Sequence, residues 1–115
     1  MARRVVQTSQ FEKDVKKIFA AEDLKDLWTY LQAFPEVGDI IQGTGGVRKL
    51  RWANPRNNKG KSGGLRILYH YSDDILILLL SAYSKSNFEN ISEAEKNRLK
   101  EIVPILIQEA MEEPR

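Results

Sequence analysis

The chain contains no cysteine, which excludes a disulfide framework and thiolate metal sites and gives no sign of an oxidising compartment. It has a single histidine, His70, so one chain cannot form a two-histidine acid–base pair. No His, Asp or Glu cluster falls at metal-ligand spacing, and no cofactor is expected. Long apolar runs are also missing. The longest, Ile75 to Leu80, is far too short to span a bilayer. The opening Met1-Ala2-Arg3-Arg4 leads only into Val5-Val6 rather than into the apolar core of a signal peptide. A cytoplasmic chain without membrane association is therefore expected.

The most informative absence is local. Between Ile40 and Ser72 there is no Asp or Glu, while Arg48, Lys49, Arg51, Arg56, Lys59, Lys61 and Arg66 supply seven positive charges. The remainder holds eleven basic and sixteen acidic residues. The modest overall charge of +2 thus conceals a strongly basic middle between acidic flanks, and a polyanion is the natural partner of that middle.

What is present suffices for one folded domain spanning 1–115. The length of 115 residues falls within the common single-domain range of about 100–150 residues. A hydrophobic content of 42% can offset the chain entropy lost on folding. Val5 and Val6 read as a first strand. Ser9 and Glu12 have capping-box spacing at the start of a helix, whose apolar residues Phe11, Val15, Ile18 and Phe19 share one face. A second helix, from about Asp23 to Phe34, carries Leu24, Leu27, Trp28 and Leu31 and stops at Pro35. The two helices are predicted to form a hairpin packed on a sheet.

Gly38 to Gly46 holds four glycines and reads as a loop. Val47 to Trp52 then alternates, with Arg48, Leu50 and Trp52 on one side and Lys49 and Arg51 on the other. Asn54 to Gly64 reads as a polar, basic connection. In Leu65 to Tyr71 the residues Leu65, Ile67, Tyr69 and Tyr71 separate from Arg66, Leu68 and His70. Asp73-Asp74 reads as a tight turn, and Ile75 to Leu80 as a central strand covered on both sides. Ser92 and Glu95 repeat the capping-box spacing before a C-terminal helix with Leu99, Ile102, Val103, Leu106 and Ala110 on one side. The expected class is α+β: a small, antiparallel-dominated sheet with an N-terminal helical hairpin and a C-terminal helix.

If the strands at 47–52 and 65–71 pair, Lys49, Arg51 and Arg66 converge on one exposed sheet face. Guanidinium forks match phosphate oxygens, and an ammonium adds a compact charge. Such a face can bind RNA or cleave it. The bland alternative is a solvated basic surface without a ligand. His70 sits at the edge of this face, and Trp52 and Tyr83 are aromatic candidates for base stacking, although core packing is the commoner use of Trp52.

Three segments carry a resemblance to a known family. They are Gly38-Asp39-Ile40-Ile41-Gln42-Gly43-Thr44-Gly45-Gly46-Val47-Arg48-Lys49-Leu50-Arg51, the stretch from Lys59-Gly60-Lys61-Ser62-Gly63-Gly64-Leu65-Arg66 to Tyr71, and Tyr83-Ser84-Lys85. In this order and spacing the chain resembles the ribosome-dependent messenger-RNA interferase toxins of the RelE/ParE superfamily, and within it the HigB-like branch. The resemblance implies a RelE-like fold and a metal-independent endoribonuclease that cuts messenger RNA in the ribosomal decoding site. It also implies a HigA-like helix-turn-helix antitoxin as partner. Lys49, Arg51, Arg66 and Lys85 would be catalytic; Arg48, Arg56, Lys59, Lys61, His70 and Tyr83 would bind RNA. Lys85 is followed by Ser86-Asn87-Phe88, where the family often places a further polar or charged residue and a tyrosine, so the general acid stays open. The superfamily also contains ParE-type gyrase inhibitors, and a non-catalytic RNA-binding domain is a third reading.

Overall fold

The computed structural model describes residues 3–19, 21–52, 64–72, 76–84 and 91–112. Arg56, Lys59, Lys61, Lys85 and the Asp73-Asp74 turn lie outside the described residues. The elements are β1 (Arg4–Gln7), α1 (Ser9–Lys16), α2 (Ala21–Ala33), β2 (Asp39–Ile40), β3 (Arg48–Trp52), β4 (Leu65–Ser72), β5 (Leu76–Ser84) and α3 (Glu93–Glu112). The strands form one sheet in the order β1-β5-β4-β3-β2. All neighbouring pairs are antiparallel except β1–β5, which is parallel, with Val5 opposite Ile77. No helix among the described residues is long and apolar enough to cross a membrane.

The alternation of β3 and β4 sorts their side chains into two cores. Leu50, Leu65, Ile67 and Tyr69 join Phe11, Val15, Phe19, Leu27 and Leu31 beneath α1 and α2. Val47, Leu68, Leu78 and Leu80 meet Leu99 and Val103 of α3 on the opposite face. With apolar residues facing both ways, β5 lies inside the sheet between β1 and β4, as its unbroken apolar run requires. The helical hairpin and α3 therefore sandwich the sheet. Trp28 packs on the first core and donates its indole N–H to Gln7 at 3.0 Å, so it ties α2 to β1. The N-terminal arginines are also structural: Arg3 bonds the Tyr71 hydroxyl and the Gln32 carbonyl, and Arg4 bonds the Ala110 carbonyl.

Several boundaries differ from the sequence-based expectation. The cap of α1 is Thr8, not Ser9: the Thr8 hydroxyl accepts the Phe11 N–H and donates to the Leu80 carbonyl at 2.9 Å. Bonding to β5 as well as to the helix lets Thr8 take the cap although Ser is the slightly better capping residue. The Ser92 cap holds, its hydroxyl accepting from the Glu95 N–H. The glycine-rich stretch is not all loop, because Asp39 and Ile40 pair with Lys49 and Arg48. The last strand, Leu76–Ser84, continues well past the apolar run.

The short β2 is placed by Tyr69, whose phenol donates to the Pro35 carbonyl and accepts from the Gly38 N–H, both at 2.9 Å. Burial pushes the Tyr69 phenol above its ordinary pKa. A Cβ on Gly38 would come within 2.9 Å of the Tyr69 ring and 3.1 Å of the Lys49 carbonyl. Neither the packed ring nor the backbone yields easily. Gly38→Ala is therefore expected to cost about 1–3 kcal/mol, the usual range for overpacking, read as a lower urea midpoint at unchanged slope.

Candidate functional site

The sheet register supplies the geometry of the basic face. Arg51 stands directly opposite Arg66, and Lys49 opposite Leu68. On the other side of β4, Arg66 faces Tyr83 and Leu68 faces Ser81. One row across the sheet thus reads Arg51, Arg66, Tyr83, and the next reads Lys49, Leu68, Ser81. Directly opposed side chains have Cβ atoms about 4.5–5.5 Å apart and diagonal ones about 7–8 Å, so Arg51 meets Arg66 at the shorter spacing and Lys49 lies diagonal to Arg66.

Their exposures are graded, and here the expectation of one solvent-facing surface needs correction. Arg51 is exposed and Lys49 half-buried, whereas Arg66 keeps only 8% of its surface. The reason is position: β4 lies between β3 and β5, so Arg66 is flanked on both sides. The Arg66 guanidinium donates to the Leu65 carbonyl at 3.4 Å. Among the described residues no carboxylate forms an ion pair with Lys49, Arg51 or Arg66; the ion pairs present, Lys96–Glu93 and Arg98–Glu95, both lie within α3. Like charges directly opposed across strands are destabilising, and a cation as buried as Arg66 ordinarily has a carboxylate partner. An anion at this row would supply a countercharge that no described carboxylate provides.

Tyr83 reaches the same face through an irregularity. The pairing shifts between Leu68 opposite Ser81 and Tyr69 opposite Leu79, which leaves Leu80 as an extra residue in β5. Strand side chains alternate, so one extra residue exchanges the faces of everything beyond it. Without the bulge, Tyr83 would share the side of Ile77 and Leu79 beneath α1; with it, Tyr83 flanks Arg66. Burial raises the Tyr83 pKa, and the positive charge of Arg66 partly offsets that rise.

The bulge is held from α1. Beyond Leu79, where β1 runs out, the Leu80 carbonyl accepts from Thr8 and the Ala82 N–H donates to the Asp14 carboxylate at 2.9 Å. Asp14 was not singled out from the sequence, although a signal exists. It lies three residues after Phe11 and four before Ile18, on the apolar stripe of the helix, where a carboxylate needs a buried partner.

The remaining candidates fall elsewhere. Arg48 is on the opposite side of β3 and donates to the carbonyls of Glu36 and Gly38 at 3.0 and 2.8 Å, which stitches the α2–β2 turn. His70 shares the basic face but lies beyond Leu68, with Nδ1 2.8 Å from the Ser72 hydroxyl and Nε2 3.2 Å from the Gly45 carbonyl. The loop approaches it through Gly46, which has a φ of 101° and would bring a Cβ within 3.1 Å of the His70 ring. Trp52 is half-buried and stacks at a tilt on Tyr30, ring centroids 5.5 Å apart, on the side away from Arg51.

Next to the basic rows is a cleft of ≈ 420 Å³, lined among the described residues by Gln10 and Asp14 of α1, Leu68, Ser81, Ala82 and Tyr83 of the sheet, and Ile91, Ser92, Glu95 and Arg98 leading into α3. The second row therefore runs from Lys49 into this cleft within two strand spacings.

Comparison with known proteins agrees with this architecture. A family model described as the RelE toxin of the RelE/RelB toxin–antitoxin system matches residues 3–113. Among solved structures, a mutant of the E. coli toxin RelE in the free state superposes with a TM-score of 0.56 at 17% identity, covering 77% of this chain and 90% of that one. At that identity the structural likeness concerns the fold.

Proposed function

Because the chain belongs to the RelE toxin family, and so is the toxin of a toxin–antitoxin system, we propose that it is a metal-independent endoribonuclease that cuts messenger RNA on the ribosome and thereby stops translation. The observation that carries this reading is the Arg51–Arg66 opposition, with Lys49 on the same face and no carboxylate paired to any of the three among the described residues. A protein that keeps such a repulsive arrangement on its sheet is preorganised for an anion.

The ribose 2′-oxygen attacks the adjacent phosphorus, and the bond from phosphorus to the 5′-oxygen breaks. The 2′-hydroxyl proton must leave and the 5′-oxygen must gain one, giving a 2′,3′-cyclic phosphate and a 5′-hydroxyl end. Lys49 and Arg51 hold the phosphate and assist the deprotonation. Arg66, fixed by burial between Arg51 and Tyr83, meets the charge that develops on the equatorial oxygens, where a preorganised donor has most effect. Lys85, on the segment just after β5, supplies the proton to the leaving oxygen. Arg56, Lys59 and Lys61 add phosphate contacts between β3 and β4. In the cytoplasm a HigA-like helix-turn-helix antitoxin of the HigB-type pairing restrains the toxin.

Induced expression in growing bacteria is expected to arrest amino-acid incorporation within minutes, with new messenger ends mapped by primer extension, while gyrase supercoiling activity is unchanged. Inhibited gyrase with intact messenger would identify a ParE-type poison instead.

A further inference from the structure

We propose that the cleft between α1, the end of β5 and the start of α3 is a nucleobase subsite that accepts an amino-bearing base (adenine, cytosine or guanine) in preference to uracil, at the nucleotide next to the scissile phosphate. The inference rests on the phosphodiester reading of the basic face and extends it to substrate selection.

Three observations support it. The first is continuity: Leu68 and Ser81 are floor residues of the cleft and also the inner members of the row that begins at Lys49. Strands lie about 4.8 Å apart, so a phosphate held by Lys49 and Arg66 leaves its neighbouring base within reach of the cleft.

The second is shape and surface. Tyr83 belongs both to the Arg66 row and to the cleft wall, and with Leu68 and Ile91 it presents an aromatic and apolar surface to a flat ring. Stacking on such a side chain contributes about 1–3 kcal/mol per base.

The third is polarity. The cleft carries two carboxylates, Asp14 and Glu95. Asp14 receives bonds from Gln10 and Ala82, one on each oxygen. Glu95 receives one from Arg98. An ionised carboxylate has about four acceptor sites and no donor, so both retain capacity to accept. Adenine, cytosine and guanine each carry an exocyclic amino donor, guanine at C2, whereas uracil has none and offers only its N3–H between two carbonyls. Arg98 in the same lining offsets one of the two carboxylates, and the net charge of −1 among the described lining residues disfavours phosphate. That balance orients the nucleotide with its backbone on the Lys49–Arg51–Arg66 side and its base inward.

The test is a titration of the 15N-labelled full-length chain with AMP, CMP, GMP and UMP, and with inorganic phosphate as the probe lacking a base. Phosphate alone is expected to move the amides of Lys49, Arg51 and Arg66. The three amino-bearing nucleotides are expected to move those of Ser81, Tyr83, Ile91 and Glu95 as well, at least fivefold more tightly than UMP. Glu95→Gln, an isosteric change at a half-exposed side chain in the first turn of α3, keeps the fold and is expected to reduce that preference to under twofold. Cleft amides that stay still with every nucleotide, or UMP bound as well as the others, would overturn the subsite even if the chain cuts messenger. Base-dependent shifts in a chain that cuts no messenger would uphold the subsite and sink the ribonuclease reading.

Discussion

Arg66→Ala is expected to slow cleavage of ribosome-held messenger by about 10²–10³-fold while the chain stays folded, the loss typical when one preorganised donor to a developing oxyanion is removed. The size follows from where Arg66 sits. It keeps 8% of its surface exposed, between Arg51 and Tyr83, in a setting where water screens its charge poorly. The surrounding fold holds its direction, so little reorganisation accompanies the reaction. Stability is expected to change little in this variant. Removing the side chain gives up packing but also ends the opposition of two guanidinium groups. Single-turnover cleavage on programmed ribosomes, beside a thermal melt, separates the two effects. Arg66→Lys should recover only part of the rate, because a point charge cannot reproduce the planar fork. A wild-type rate from Arg66→Ala would remove the catalytic role assigned to this face.

Phe11→Ala is expected to cost about 3–5 kcal/mol, the range for deleting a large aromatic from a closed core. For a domain whose total stability is about 5–15 kcal/mol, that approaches the threshold of folding. Phe11 is fully buried among Leu27, Leu31, Ile67 and Leu79, and its N–H is the one that the Thr8 cap receives. Losing it loosens α1, and with α1 the Thr8 and Asp14 bonds that hold β5 at residues 80 and 82. Urea unfolding should show the lowered midpoint. Residual activity per folded molecule should also fall, because Tyr83 depends on that bulge for its face. Unchanged activity in the folded fraction would show that the bulge survives without the α1 anchor.

How much of this could be read from the residues depends on the range of the interactions involved. Period-two alternation in 47–52 and 65–71 put Lys49, Arg51 and Arg66 on one face and Arg48 with Leu50 on the other, because strand geometry alone dictates that division. Helix periodicity located Phe11, Val15, Leu27, Leu31, Leu99 and Val103 in the cores, where the structure has them. Pairing register, by contrast, joins residues some fifteen positions apart. The opposition of Arg51 to Arg66, and the bond from the Gly38 N–H to the Tyr69 hydroxyl across 31 positions, leave no periodic trace. The capping-box spacing pointed to Ser9, and only the bond to the Leu80 carbonyl shows why Thr8 is the cap.

The residues by themselves determined the α+β class, the basic middle between acidic flanks, and the membership of the three cations in one sheet face, since charge and local alternation are written in chain order. Only the tertiary structure decided that Arg66 is buried, that β1 runs parallel to β5, and that one extra residue at Leu80 turns Tyr83 toward Arg66 and opens a cleft beside it. Those outcomes depend on which backbone groups meet across the sheet, and a bulge changes the facing of a whole strand end without altering its sequence pattern.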